Sequence, residues 1–392
     1  MKKIWFAVLV LLVSVGLAGC QEADTLSFEV EVIDLNGEVL LNQSIDFTEE
    51  ATMPIIDMID QEIGIDYTSY DIGLFVNGVA DYYPTEYGVT YNYYYSFLIN
   101  DEIATVGIDQ LELEDGMKLT FKEVTTLDVT DQKVDQLIQS FIDQHLSLYL
   151  NDNTFDHYVL AAINQLDLHG YMGPVLLTDL IPNSYLLMER ETIANTFKMT
   201  IVEKAYQRNL DDTKTALSGF VADNPYDAAT LLNALTMTDG SSTQISDLIN
   251  ILTSTPSFMD ADYAGMILLA LAPYIDNQLT TQTINDMESF IQTVLTENGV
   301  ESWGNANSSS TATVILGLVA HGINPRSTTY STNDVDLIEA LLTYELDGAY
   351  KWLLADEQAD MAFSTPQVFS ALVAYKIYRD VYGNPAFNLF DF

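Results

Sequence analysis

The chain is 392 residues long, enough for two or three domains and a large apolar core. Lys and Arg number 14 against 57 Asp and Glu, a formal net charge of −43, which repels phosphates and excludes a nucleic-acid partner. At 48% hydrophobic residues the chain has the apolar content to fold, and its single cysteine excludes an internal disulfide.

Lys2 and Lys3 precede an apolar run from Ile4 to Val15, followed by Leu17-Ala18-Gly19-Cys20. A basic start, an apolar stretch and small residues make a secretory signal. The run falls short of the roughly 20 residues that a membrane span needs. The residues ending at Cys20 resemble the lipobox of bacterial lipoproteins. That resemblance implies a signal peptide over residues 1–20, a lipid on Cys20 and a place on the extracellular face of the bacterial cytoplasmic membrane. Residues 21–26 are a short polar tether.

Residues 27–124 read as a small α+β sandwich. Phe28 to Ile33 alternates in polarity, and Asn36-Gly37 is a hairpin turn before Val39. Thr52 to Asp60 has helical spacing, with Thr52 as N-cap and Pro54 in the first turn. Leu74 to Val79 reads as a strand pair turning at Asn77-Gly78. The aromatic run Thr90 to Asn100 is a strand. Asp115-Gly116 turns into a last strand, Lys118 to Lys122.

Residues 125–132 form a polar linker, and 133–392 read as helical. Val134, Leu137, Ile138, Phe141 and Ile142 mark one amphipathic outer helix; Ile284, Met287, Phe290, Ile291 and Val294 mark another. A second kind of helix is apolar on every side and therefore buried. The clearest runs from Tyr263 to Tyr274, with Asp260 and Asp262 at its start, where carboxylates favour the helix dipole. Similar runs begin near Tyr226, Ser310 and Ser364. A repeat of helix pairs every 40–50 residues or so means an array or a closed ring, and alternating outer and inner helices fit an (α/α)6 toroid better than a superhelical solenoid. The polar starts of the inner helices then collect at one end of the ring.

Asp262-Tyr263-Ala264-Gly265-Met266, Asn307 to Ala312 and Phe363 to Gln367 resemble inner helices of the transcobalamin and intrinsic factor family. Tyr94-Tyr95-Ser96-Phe97-Leu98 resembles the Tyr-Trp-Gln-Leu-Leu strand of that family's cap domain, and Val106 to Asp109 its Gly-Val-Ala-Asp segment. The resemblance implies a cobalamin, or related corrinoid, bound between cap and toroid mouth without being transformed. It places Asp262 against corrin amides and matches Asp227, beside Tyr226, to a ligand-facing Gln. Tyr263, Asn307, Thr311 and Gln367 are further candidates at the mouth; Tyr94, Tyr95 and Phe97 are candidates on the cap. Each has a plain alternative use: Asp262 as a helix cap, the strand aromatics as core. Successive strand residues face opposite ways, so at most two of Tyr93, Tyr94 and Tyr95 meet one ligand. The chain departs from the animal carriers in placing its cap first. It also has Ser257-Phe258-Met259 where transcobalamin has a cobalt-ligating histidine, so no protein ligand to cobalt is expected.

Asp260-Ala261-Asp262-Tyr263 also resembles the acid motif of terpene cyclases, with Tyr263 in place of its last Asp, but their Gln-Trp repeats are missing. No carboxylate pair of a polysaccharide-degrading toroid stands out from the acidic background. His145, His157, His169 and His321 lack metal-ligand spacing. The expectation is therefore a monomeric, lipid-anchored binding protein, not an enzyme, that captures a corrinoid and delivers it to a membrane importer. A surface adhesion or wall-binding module is the alternative.

Overall fold

The structure, a computed structural model, describes residues 25–48, 53–71, 73–150, 156–172, 188–254, 260–275 and 278–391. Cys20 with its leader, Thr52 and Ser257 to Met259 lie outside them. The chain divides into two compact units, Met1–Thr126 and Leu127–Phe392.

The first unit is sheet-rich. Strands β1 (Thr25–Ile33) and β2 (Val39–Thr48) pair antiparallel. Asp34 accepts the amides of Asn36 and Glu38 at their turn, where Gly37 takes a positive φ of 87°. Helix α1 (Ile55–Glu62) buries Ile55, Ile56, Met58 and Ile59. Pro54 is its N-cap and does not lie within the first turn. Strands β3 (Ile65–Tyr70) and β4 (Gly73–Val79) form a separate antiparallel pair. The turn expected at Asn77-Gly78 is not formed, since both residues lie inside β4. A Cβ on Gly78 would strike the Tyr83 ring, so this glycine serves close packing. Strands β5 (Tyr93–Ile99), β6 (Glu102–Ile103) and β7 (Lys118–Thr125) complete a five-stranded sheet of order β2-β1-β7-β5-β6. Only the β1–β7 pairing is parallel. Phe28, Val30 and Val32 of β1 and Leu119 and Phe121 of β7 fill its core, as alternation dictates.

The second unit is built on helices: α2 (Val129–Gln144), α3 (His157–Leu168), α4 (Ile193–Ala205), α5 (Asp211–Gly219), α6 (Pro225–Met237), α7 (Ser242–Leu252), α8 (Ala261–Leu271), α9 (Gln278–Thr293), α10 (Ser308–Ala320), α11 (Leu337–Leu342) and α12 (Ser364–Asp380). The sequence between units is shorter than 125–132, because β7 reaches Thr125 and Asp128 already caps α2. Helices α3, α4, α6, α8, α10 and α12 pack each on the next, and α12 packs back on α3. They are buried on most sides, whereas α2 buries only Val134, Leu137, Ile138 and Phe141. Helices α8 and α10 approach closely at Gly265 and Gly317, where no Cβ would fit.

The run 133–392 is not purely helical. Short strands β8 (Leu295–Thr296), β9 (Gly299–Ser302) and β10 (Asn305–Ala306) precede α10. Hairpins β11–β12 (Ser331–Thr332, Val335–Asp336) and β13–β14 (Glu345–Leu346, Ala349–Tyr350) flank α11. Three of their two-residue turns, Trp303-Gly304, Asn333-Asp334 and Asp347-Gly348, have φ values of 57° and 84°, 53° and 64°, and 53° and 77°. Paired positive φ values mark the tight turn that matches strand twist.

The His157 side chain at the start of α3 is 13% exposed. Burial, with Lys198 adding and Asp156 opposing, pushes its pKa down from 6.5 to about 4. The unfolded chain takes up a proton near pH 6.5 that the folded chain refuses. Stability from this group is complete above that pH and is lost as pH falls toward 4. The loss reaches about 3 kcal/mol. His157→Gln is expected to flatten this part of the acid slope in urea unfolding measured across that range; an unchanged slope places the effect elsewhere.

Candidate functional site

Five inner helices begin with a side-chain cap. Asp156 accepts the amides of Tyr158 and Val159, Thr192 that of Asn195, Asn224 that of Asp227, Asp260 that of Tyr263 and Asn307 that of Ser310. Helix α12 lacks a capping side chain at Phe363, and the Asp360 carboxylate takes the amides of Ala362, Phe363 and Ser364 instead. Aligned cap on cap, Tyr226, Asp262 and Ser309 occupy the same position in α6, α8 and α10.

Hydrogen bonds tie these starts together. The Tyr226 hydroxyl donates to Asp260 Oδ2 at 3.0 Å, and its ring meets Tyr263 edge-on at 5.7 Å. Burial, and then the Asp260 carboxylate, hold the Tyr226 hydroxyl well above the usual tyrosine range. Trp303 Nε1 donates to Asp262 Oδ2 at 3.0 Å, and Ser302 Oγ to the same oxygen at 3.3 Å. Ser309 Oγ and Ser364 Oγ lie 2.9 Å apart, and the Ser308 amide donates to the Trp352 carbonyl.

The expected residues divide. Tyr226 and Asp262 are partly exposed at this end. Asp227 accepts from Asn224 Nδ2 at 2.7 Å in a reciprocal cap. Asn307 and Thr311 do not present an amide and a hydroxyl outward. Asn307 is 1% exposed and its Oδ1 is held by the Ser310 amide; Thr311 is 0% exposed, donating to the Asn307 carbonyl and accepting from the Val300 amide. Tyr263 is buried, and its hydroxyl and Gln367 Oε1 have no hydrogen-bond partner among the described residues.

The first unit holds a cleft of about 750 Å³ walled by Tyr70, Phe75, Tyr87, Tyr91, Tyr93 and Tyr94. Among the described residues that line it none is charged, although the chain carries 57 carboxylate side chains. The Tyr87 hydroxyl reaches out to Asp66 Oδ2 at 3.2 Å, and its ring stacks on Tyr83 at 4.8 Å. Tyr95 and Phe97 are not part of the wall. They face the sheet core, Tyr95 edge-on to Phe121 at 6.4 Å and Phe97 stacked on it at 5.3 Å. Strand alternation separates them from Tyr94, whereas Tyr93, on their side of the strand, meets the cleft from the strand's first position.

Residues 57–124 match the family model described as Domain of unknown function (DUF4430). The match begins within α1, ends one residue before the end of β7 and contains the whole cleft, consistent with a cap-type domain. No curated protein matches the chain.

Sequence reasoning passed over several exposed aromatics. In the helical unit they are Trp303 at 68% exposure, Trp352 at 40% and Phe363 at 69%, all beside the starts of α8, α10 and α12. The signal was available, since the chain has only three tryptophans and Trp303 stands five residues before the inner helix α10. In the first unit Tyr83, Tyr87 and Tyr91 stand at four-residue steps, a spacing that carried no weight in a loop. Among the described residues no cluster of three or more His, Cys, Asp or Glu side chains is arranged to hold a metal, and none of the described helices is long and apolar enough to cross a membrane. His145, His169 and His321 each contact a backbone carbonyl.

Proposed function

We propose that this chain is a cell-surface binding protein for one large, flat, mostly uncharged ligand of the corrinoid class, cobalamin included. No bond is made or broken. The observation that carries the reading is the tyrosine-walled cleft free of charged side chains in a chain of net charge −43. Aromatic faces with hydroxyl edges suit a planar macrocycle rimmed by neutral amides. The circuit of six inner helices, with outer helices alongside, supports reading the second unit as an (α/α)6 toroid. Asp260 supports binding over acid catalysis, because a helix amide and the Tyr226 hydroxyl occupy both of its oxygens.

Tyr94→Ala is expected to weaken cobinamide binding about 10-fold, while Tyr95→Phe leaves it unchanged. Equal effects, read by equilibrium titration of the corrin absorption band, would remove the cleft from the site. The chain is read as a monomer, tethered through Cys20, that hands its ligand to a membrane importer. Cys20→Ser should release it into the medium, and deletion should lower corrinoid uptake at limiting supply. Retention in the membrane, or unchanged uptake, contradicts the respective part.

A further inference from the structure

We infer that Trp303 is a ligand-contacting residue of the helical unit, and that Asp262 acts by positioning it. The inference rests on the binding reading above and assigns the work at this end differently from an Asp262 that touches ligand itself.

Three tight turns of this unit allow an internal comparison. Asn333-Asp334 and Asp347-Gly348 use residues that tolerate positive φ well. The third places Trp303 at φ 57°, a conformation that bulky side chains rarely adopt. The indole does not compensate by burial, since it remains 68% exposed. It is nonetheless fixed, because Asp262 Oδ2 accepts its Nε1 at 3.0 Å while also holding Ser302 Oγ. Strained backbone, exposed aromatic surface and a carboxylate anchor together serve contact with something outside the fold. Trp352, whose carbonyl accepts the first amide of α10, and Phe363, at the start of α12, are also exposed. A broad, electron-rich ring pinned in one orientation stacks on a planar ligand with an uncharged rim.

Two measurements test this. Trp303→Asn should leave the melting temperature unchanged or raise it, because asparagine suits the turn. It should also weaken cobinamide binding about 10-fold. Asp262→Asn should weaken binding about 5-fold in the natural chain and not at all in a Trp303→Phe background, where no indole N–H remains to position. A lower melting temperature for Trp303→Asn, undiminished affinity, or an equal Asp262→Asn loss in both backgrounds overturns the inference. Absence of cobinamide binding by the unaltered chain instead overturns the binding reading, and the melting comparison still stands apart from it.

Discussion

Replacing Lys376 with methionine is expected to destabilise the helical unit by about 3–5 kcal/mol, seen as a lowered urea midpoint. The Lys376 side chain is 3% exposed and pairs with Asp135 Oδ1 and Asp380 Oδ2, each at 3.1 Å, with Nζ 4.6 Å from the centre of the Tyr171 ring. Arg379 joins the group, with Nε 2.6 Å from Asp380 and Nη2 2.9 Å from Asp135. Lys376 and Arg379 thus share Asp135 and Asp380, with Asp131 Oδ1 a further 3.8 Å from Arg379 Nη1, linking the first helix of the unit, α2, to the last, α12. Methionine keeps the length of the stem but leaves Asp380, whose side chain is fully buried, short of one counter-charge. Asp380→Asn added to Lys376→Met should recover part of the loss, because it removes the uncompensated charge. A midpoint that does not move in the single variant would show that water reaches these groups. High salt should change little, since buried pairs are poorly screened.

Gly265→Ala carries the next largest effect, a loss of about 3 kcal/mol in the same assay. Alanine in a helix interior ordinarily stabilises it by up to about 1 kcal/mol relative to glycine. Here a Cβ would lie 2.6 Å from the Thr313 carbonyl oxygen and 2.9 Å from the Val314 nitrogen. Both are backbone atoms of α10 and cannot swing away. Gly317 faces back across the crossing, its Cβ position 2.7 Å from the Gly265 carbonyl oxygen, so Gly317→Ala should behave alike. Gly219 ends α5 with open space around its Cβ position; Gly219→Ala should be neutral or slightly stabilising. Equal effects at Gly219 and Gly265 would contradict the close crossing.

Periodicity made the two kinds of helix legible. Inner helices such as α10 are apolar all round because they are enclosed, and outer ones such as α2 carry one stripe. Capping chemistry put the start of α8 at Asp260 and Asp262, and Asp260, not Asp262, is the residue that caps it. The short hairpins around α11 escaped because two-residue strands leave no alternation to read. Asn77-Gly78 resembled a turn, yet its glycine answers to a ring, Tyr83, that no local pattern reveals. The site was less legible than the fold, for a similar reason. Asn307 and Thr311 look available in sequence, but the helix start itself takes up their polar atoms. Asp262 meets Trp303 only through the fold. Tyr94 and Tyr95 are neighbours in sequence and part by strand alternation, one to the cleft and one to the core.

The most direct test of the account is equilibrium dialysis of the purified mature chain against cobinamide, which lacks the nucleotide tail, and against cobalamin. The account predicts that both are retained at one site per chain, with a shifted corrin absorption spectrum. A folded protein that retains neither would contradict it.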